Sequence, residues 1–140
     1  MEDSYIKSGK VKFTYKFYPV VDQGRIGESN WAAQAAECAN LQGKFWDYHD
    51  KLFSVWTGEN VGTFTKAKLK QYAADLQLNA TDFNQCLDGD KTASVVQADM
   101  AEANRQGVQG TPTYFLNGRL MQLRTLQFDE FSRTFDSLLK

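Results

Sequence analysis

Apolar and polar residues alternate along residues 10–18 of the chain. The apolar positions of this segment are Val11, Phe13, Tyr15 and Phe17, and the polar positions are Lys10, Lys12, Thr14 and Lys16. Because successive side chains of a β-strand point to opposite faces, the alternation predicts a strand with one buried face. The lysines predict a position near a sheet edge, where charge opposes stray pairing, and Pro19 is expected to end the strand.

A helical periodicity follows this strand and predicts five helices in succession. The first is expected to begin at Ser29 or Asn30 and to end near Gln42, and the others cover about 44–56, 65–76, 81–89 and 91–106. Thr65 is the expected N-cap of the third helix. Glycines 43, 89 and 107 close three of these segments, as is typical of helix C-termini.

The period changes again near the C-terminus. Residues 113–116 predict a strand, Asn117-Gly118 predicts a type I′ hairpin turn, and residues 119–123 predict the returning strand. Residues 126–139 predict an amphipathic helix whose inward face comprises Leu126, Phe128, Phe131, Phe135, Leu138 and Leu139. Strand, helices, hairpin and helix in this order predict an α/β fold with a mixed sheet and a helical insertion.

The composition fits one globular domain. The 140 residues are 42% hydrophobic and 14% aromatic, which is enough apolar material for a core. The net charge of −1 lacks the basic excess that binding to nucleic acid or to an anionic membrane requires. No apolar run approaches the length of about 20 residues that a membrane span needs, and the acidic start is not typical of a signal peptide.

Residues 107–119, with the sequence GVQGTPTYFLNGR, carry most of the information about function. A proline between a glycine-rich loop and a strand is compatible with a cis peptide bond, a minority state for bonds that precede proline. The segment resembles the cis-proline loop, strand and hairpin of the disulfide oxidoreductases related to DsbA. Further segments resemble this family in the same order, namely residues 5–11 with 17–19, 35–39 with 42–49, and 83–87.

The resemblance covers nearly the whole chain and implies a fold. That fold is α/β and thioredoxin-like (DsbA-like), with a mixed sheet and an inserted all-helical subdomain. On this basis residues 1–140 form a single domain, with thioredoxin-like parts at 1–27 and 107–140 and the helical insertion at about 28–106.

The resemblance also implies a substrate-binding loop at Gly110, Thr111 and Pro112. In the family, the bond corresponding to Thr111–Pro112 is cis, and the backbone before the proline pairs with an extended peptide. Recognition of this kind is strand addition, in which main-chain hydrogen bonds provide the affinity. The expected partner is therefore an extended peptide or an unfolded protein.

The CxxC motif that precedes this region in the family has no counterpart in the 140 residues. The strand before it is also missing, so we expect the N-terminal βα unit to be absent. Disulfide exchange requires a thiolate stabilised at a helix N-terminus and a second thiol that resolves the mixed disulfide. We therefore expect no catalytic residue in this chain and no dithiol activity from it alone.

Three functions remain open at this point. The first is a DsbA-like oxidoreductase domain whose full-length form makes or isomerises disulfides in secreted proteins. The alternative is a non-catalytic peptide-binding or assembly module that uses the same loop. The third is a relative of glutathione-using enzymes with an inserted-helix fold, against which the missing first helix also counts.

The missing strand has a structural consequence, because in this fold it lies centrally, between residues 10–18 and 113–117. Buried backbone groups that lose their partners cost about 1–3 kcal/mol each. Either the two flanking segments pair directly, or a second subunit fills the gap, which would make a homo-oligomer or a strand-swapped dimer.

Cys38 and Cys86 are the only cysteines and lie 48 positions apart in the helical insertion. A structural disulfide, two buried free thiols and a redox-active pair are the alternatives, and the resemblance favours the first. His49, the only histidine, has no partner at metal-ligand spacing, so we expect neither metal nor cofactor. The resemblance implies a periplasmic, secreted or anchored protein, although the chain itself carries no signal peptide.

Overall fold

A computed structural model describes residues 2–22 and 26–139. The chain divides into two compact units, of which the first comprises Met1–Lys16 with Pro112–Lys140 and the second comprises Phe17–Thr111. Each unit has its own core and its own secondary structure. None of the helices among the described residues combines the length and the apolar character needed to cross a bilayer.

The second unit is helical in its described part. Its helices are α1 (Glu28–Asn40), α2 (Phe45–Val55), α3 (Lys66–Asp75), α4 (Ala80–Asp88) and α5 (Ala93–Arg105). Helix α1 is central and packs against the other four. Its buried face consists largely of alanines, which allow close approach of neighbouring helices. The rest of the core is formed by larger side chains that are fully buried, namely Tyr48, Leu69, Phe83, Leu87 and Val96.

The helix ends follow local sequence signals, with one exception. Thr65 caps α3 by accepting a hydrogen bond from Lys68 N, as predicted, and Asn79 caps α4 by accepting one from Asp82 N. The prediction that Ser29 or Asn30 caps α1 was wrong. The buried carboxylate of Asp22 instead accepts hydrogen bonds from the backbone N–H groups of both residues, at 3.2 and 2.9 Å.

The first unit is built from a hairpin and a helix. Strands β1 (Phe115–Leu116) and β2 (Arg119–Leu120) pair antiparallel, and helix α6 spans Phe128–Leu138. Asn117 and Gly118 have φ values of 51° and 77°, as the predicted type I′ turn requires. Tyr5, in a π-helical turn over Glu2–Ile6, is buried against Phe131 and Phe135 of α6.

The predicted strand over 10–18 was wrong as a hydrogen-bonded element. Residues 11–20 belong to neither a helix nor a strand, and the sheet in the described residues has only β1 and β2. The alternation of burial persists only in part, since Val11, Tyr15 and Phe17 are at least half-buried and the polar positions between them are exposed, but Phe13 is exposed as well. A strand is defined by its ladder, and direct pairing of this segment with β1 is not seen in the described residues.

The inward face predicted for the last helix is only partly buried. Phe131 and Phe135 are in the core, whereas Leu126, Phe128, Leu138 and Leu139 are each exposed by 46% or more. The amphipathic pattern therefore identified two core residues, and the prediction was wrong for the other four. The two-stranded sheet of this unit is too small to cover the whole apolar face of α6.

Candidate functional site

The predicted substrate-binding loop begins where α5 ends. Gly107 has a φ of +74°, and its N–H donates to Asn104 O while Val108 N donates to Ala103 O, at 3.1 and 3.0 Å. These two bonds form the Schellman motif, in which a left-handed residue stops a helix and satisfies its last carbonyls. The motif turns the chain out of α5 two residues before Gly110.

The three predicted binding residues lie directly after this turn. Gly110 is half-buried, and Thr111 and Pro112 are exposed. The boundary between the two compact units falls between Thr111 and Pro112. The space beside the Gly110 Cα is open, because an added Cβ would meet no atom within 4 Å. A partner backbone can therefore approach Gly110 closely.

On the other side of Pro112, aromatic packing holds the chain in the first unit. The Tyr114 ring meets the Phe131 ring edge-on, with 4.9 Å between centroids, and Tyr114 O accepts a hydrogen bond from Met121 N at 2.8 Å. Burial, followed by the charge of Tyr114, raises the pKa of Tyr15 in the same unit. The segment after Pro112 is thus fixed by the hairpin and by α6.

The two cysteines are joined in a disulfide. Cys38 of α1 and Cys86 of α4 have Cα atoms 5.9 Å apart, and both residues are buried. The Cys38 sulfur also lies 3.7 Å from Thr92 Oγ1, which donates to the carbonyl of Gln34 at 3.0 Å. A buried disulfide is difficult for an external thiolate to attack, because exchange requires access to one of the two sulfurs.

His49 lies on α2 in an aromatic environment. Its ring stands 4.7 Å from the Phe53 ring and 5.3 Å from the Trp46 ring, and its Nδ1 is 2.9 Å from Asp50 Oδ1. Among the residues that the structure describes, no three His, Cys, Asp or Glu side chains come together closely enough to hold a metal ion. The His49 ring thus packs against these two aromatic rings and contacts the carboxylate of Asp50.

Two polar contacts important to the second unit were not predicted from the sequence. Glu28 accepts hydrogen bonds from the backbone N–H groups of Gly62 and Phe64, both at 2.7 Å, and so closes the long loop after α2. The Tyr18 hydroxyl contacts the loop after α5. Their partners lie 34 or more positions away in sequence, so no local signal could have indicated them.

Comparison with known proteins gives matches along the chain. A family model described as "Thioredoxin" matches residues 1–137. Disulfide bond formation protein D of Bacillus subtilis is 27% identical over 143 residues, which cover all of this chain and 62% of that protein. The crystal structure of oxidised BdbD from Bacillus subtilis superimposes with a TM-score of 0.81 and 25% identity, over 99% of this chain and 74% of that one.

A second group of relatives consists of transporters. Na(+)/H(+) antiporter NhaA 3 of Salinispora tropica is 33% identical over 109 residues, which cover 78% of this chain. This match accounts for only 16% of the antiporter. The chain thus spans about a sixth of the antiporter's length and less than two thirds of the Bacillus subtilis protein's length.

Proposed function

Because the chain belongs to the thioredoxin family, in its DsbA-like group, we propose that it is the substrate-holding part of a protein thiol–disulfide oxidoreductase. The match to disulfide bond formation protein D along the whole chain carries this proposal. The family model and the superposition on BdbD confirm the expected thioredoxin-like fold and the resemblance to DsbA. The alternative of a non-catalytic binding module is less well supported, because that relative is named for disulfide formation.

The proposed binding element is the loop of Gly110, Thr111 and Pro112. Two of its residues are exposed, and open space lies beside the third. An extended peptide would bind by main-chain hydrogen bonds to the backbone of Thr111, as in strand addition. Recognition through the backbone explains how such a loop could accept many unfolded proteins without selecting a sequence.

The chemistry of exchange would come from a CxxC motif that these 140 residues do not include. Both cysteines of the chain are committed to the buried disulfide between α1 and α4, and the structure has no free cysteine. Without a low-pKa thiolate there is no nucleophile to attack a substrate disulfide. In this proposal the chain holds the substrate, and the attacking thiol is supplied by another segment or chain.

A turnover assay tests the absence of intrinsic dithiol chemistry. The chain is added to insulin with a reductant, and precipitation of the reduced insulin chains is followed over time. We expect the uncatalysed rate, with or without the Cys38→Ala/Cys86→Ala substitution. Catalysis that disappears in the double variant would show that the buried pair is redox-active and would contradict the proposal.

A binding assay tests the loop. A short, cysteine-free peptide labelled with fluorescein is titrated with the chain, and its anisotropy is measured. Gly110→Ala adds a methyl group where the chain itself has room, so the fold should be retained while the approach of a peptide is hindered. We expect saturable binding by the wild type, at least a several-fold weaker affinity for Gly110→Ala, and no change for the matched substitution Gln109→Ala.

The same proposal places the protein in an oxidising compartment outside the cytoplasm. A buried disulfide is typical of proteins that fold where thiols are oxidised, and the relatives from Bacillus include disulfide bond formation proteins. Acid quenching of cells followed by alkylation would report the state of the pair in the host. A fully reduced pair in the cell would contradict this placement.

A further inference from the structure

The Tyr18 hydroxyl makes two contacts near the proposed binding loop. It lies 3.0 Å from Asn104 Oδ1, on the last turn of α5, and 3.1 Å from the carbonyl oxygen of Val108, in the loop that follows. All three residues belong to the second unit. The hydroxyl therefore links the last turn of α5 to the loop three residues before Thr111.

The contact with Tyr18 involves the first loop residue after Gly107, and both backbone polar groups of that residue have partners. The N–H of Val108 is already bound to Ala103 O as part of the Schellman motif, and its carbonyl is the group that Tyr18 binds. With both polar groups of the Val108 peptide backbone engaged, the chain leaves α5 in one direction. Removal of the hydroxyl would leave the carbonyl of Val108 without this hydrogen bond.

The backbone next to Tyr18 is fixed by the same helix. Phe17 N donates at 3.0 Å to a carboxylate oxygen of Asp99, a buried residue on α5. Helix α5 thus positions the main chain at Phe17 through Asp99 and the side chain at Tyr18 through Asn104. Because α5 fixes both the backbone before Tyr18 and its hydroxyl, the hydroxyl can hold the loop after α5 at a defined distance from that helix.

From this geometry we infer that Tyr18 is a positioning residue for the substrate loop: its hydroxyl fixes the backbone that leads to Thr111, and so raises the affinity for an extended peptide. The inference rests on the proposed function of the loop at Gly110, Thr111 and Pro112. Binding by strand addition uses main-chain groups, so its strength depends on a backbone that is ordered before the peptide arrives.

The test compares two tyrosine hydroxyls of the same unit. Tyr18→Phe removes only the hydroxyl at the loop. Tyr72→Phe removes a hydroxyl that donates to the carbonyl of Thr63, also at 3.0 Å, and is the matched control. Anisotropy of a fluorescein-labelled, cysteine-free peptide gives the Kd, and amide hydrogen exchange of Gly107 and Val108 gives the opening of the Schellman motif.

We expect Tyr18→Phe to raise the Kd about three- to ten-fold, the range that corresponds to loss of one hydrogen bond, and to accelerate exchange at both amides. Tyr72→Phe should change neither quantity.

The outcomes separate this inference from the function on which it rests. If the wild type binds peptide and Tyr18→Phe binds it equally well, the inference is overturned and the binding loop stands. If the wild type binds no peptide, the proposed function fails. The exchange rates then decide whether Tyr18 fixes the loop, and equal rates in wild type and Tyr18→Phe would overturn that as well.

Discussion

Individual residues with positive φ terminate helices in the second unit. Gly43 and Gly107 do so after α1 and α5, but Gln77 and Asp90 occupy the equivalent positions after α3 and α4, with φ values of 59° and 47°. The N–H of the following residue donates to the helix in each case. An L-residue with a Cβ is strained by about 1–2 kcal/mol in this conformation, and glycine is not.

We therefore predict that Gln77→Gly stabilises the chain. The exposed side chain of Gln77 would be lost, and relief of backbone strain should exceed the added entropy of the unfolded chain. The expected gain is about 0.5–1 kcal/mol in the free energy of unfolding, measured in urea. Asp90→Gly should gain less, because it also removes the contact of Asp90 with Lys66. A loss of stability in Gln77→Gly would contradict the account of strain.

Protonation of Glu130 should change the free energy of unfolding as the pH falls. Its carboxylate accepts hydrogen bonds from the backbone N–H groups of Arg124 and Thr125, and these lower its pKa below the usual value of 4.5. A lowered pKa in the folded state means that the folded protein binds this proton less readily than the unfolded protein. The stabilisation is therefore present above about pH 4.5 and is lost as the pH falls below it.

Comparison with Glu130→Gln checks this prediction. Unfolding in urea at several pH values between neutral and acidic should show a steeper loss of stability for the wild type than for the variant, which has no carboxylate to protonate at this position. Parallel pH profiles for the two proteins would mean that Glu130 makes no difference to the pH dependence.

At the scale of elements, the helices of the second unit and the β1–β2 hairpin could be predicted from sequence, and the strand at 10–18 could not. Helix signals are local: Thr65 caps its own helix, and Gly107 ends the one before it. The strand at 10–18 and the buried face of α6 depend on what lies beside them, which alternation in one segment cannot indicate. The Asp22 cap on α1 was missed for a similar reason, because its carboxylate reaches across seven or eight positions.

Some features of the candidate site could be predicted from the sequence, and others could not. Sequence resemblance predicted a binding loop at Gly110, Thr111 and Pro112, which stays a prediction, and it favoured the disulfide that the structure contains. The contact of the Tyr18 hydroxyl with Val108 could not be predicted, since Val108 lies 90 positions away and offers only a backbone carbonyl. The proposed boundaries at 28 and 106 remain a prediction, and the compact units of the structure divide at 17 and 111.

The disulfide is the strongest tie between two of these elements. It joins α1 and α4 at buried positions, so the unfolded chain carries a closed loop that restricts its conformations. We predict that Cys38→Ala/Cys86→Ala lowers the free energy of unfolding by about 2–5 kcal/mol. Urea unfolding followed by far-ultraviolet circular dichroism measures this change, and a loss below about 1 kcal/mol would contradict a structural role.

At the scale of the whole molecule, the first unit leaves apolar surface uncovered. An open groove of about 540 Å³ lies between the hairpin and α6, and its lining includes the exposed residues Leu120 and Leu138. This surface supports the proposal of a homo-oligomer or a strand-swapped dimer. Apolar surface of this kind commonly marks an interface.

We predict concentration-dependent self-association in sedimentation velocity. Leu138→Asp places a charge on the apolar surface and should weaken association. Val61→Asp is the control, because Val61 has the same exposure of 60% but lies in the second unit. A monomer at all concentrations, or equal weakening by both substitutions, would contradict assembly through the first unit.

We propose that this thioredoxin-family chain has the fold of the disulfide oxidoreductases while its own two cysteines serve structure alone. The most direct measurement is a thiol count by alkylation and intact mass, on native protein equilibrated across a series of glutathione redox poises. We expect the Cys38–Cys86 bond to persist to below about −300 mV, as is typical of structural disulfides. Reversible opening between about −120 and −230 mV, the range of catalytic dithiols, would contradict the claim and assign redox chemistry to the buried pair.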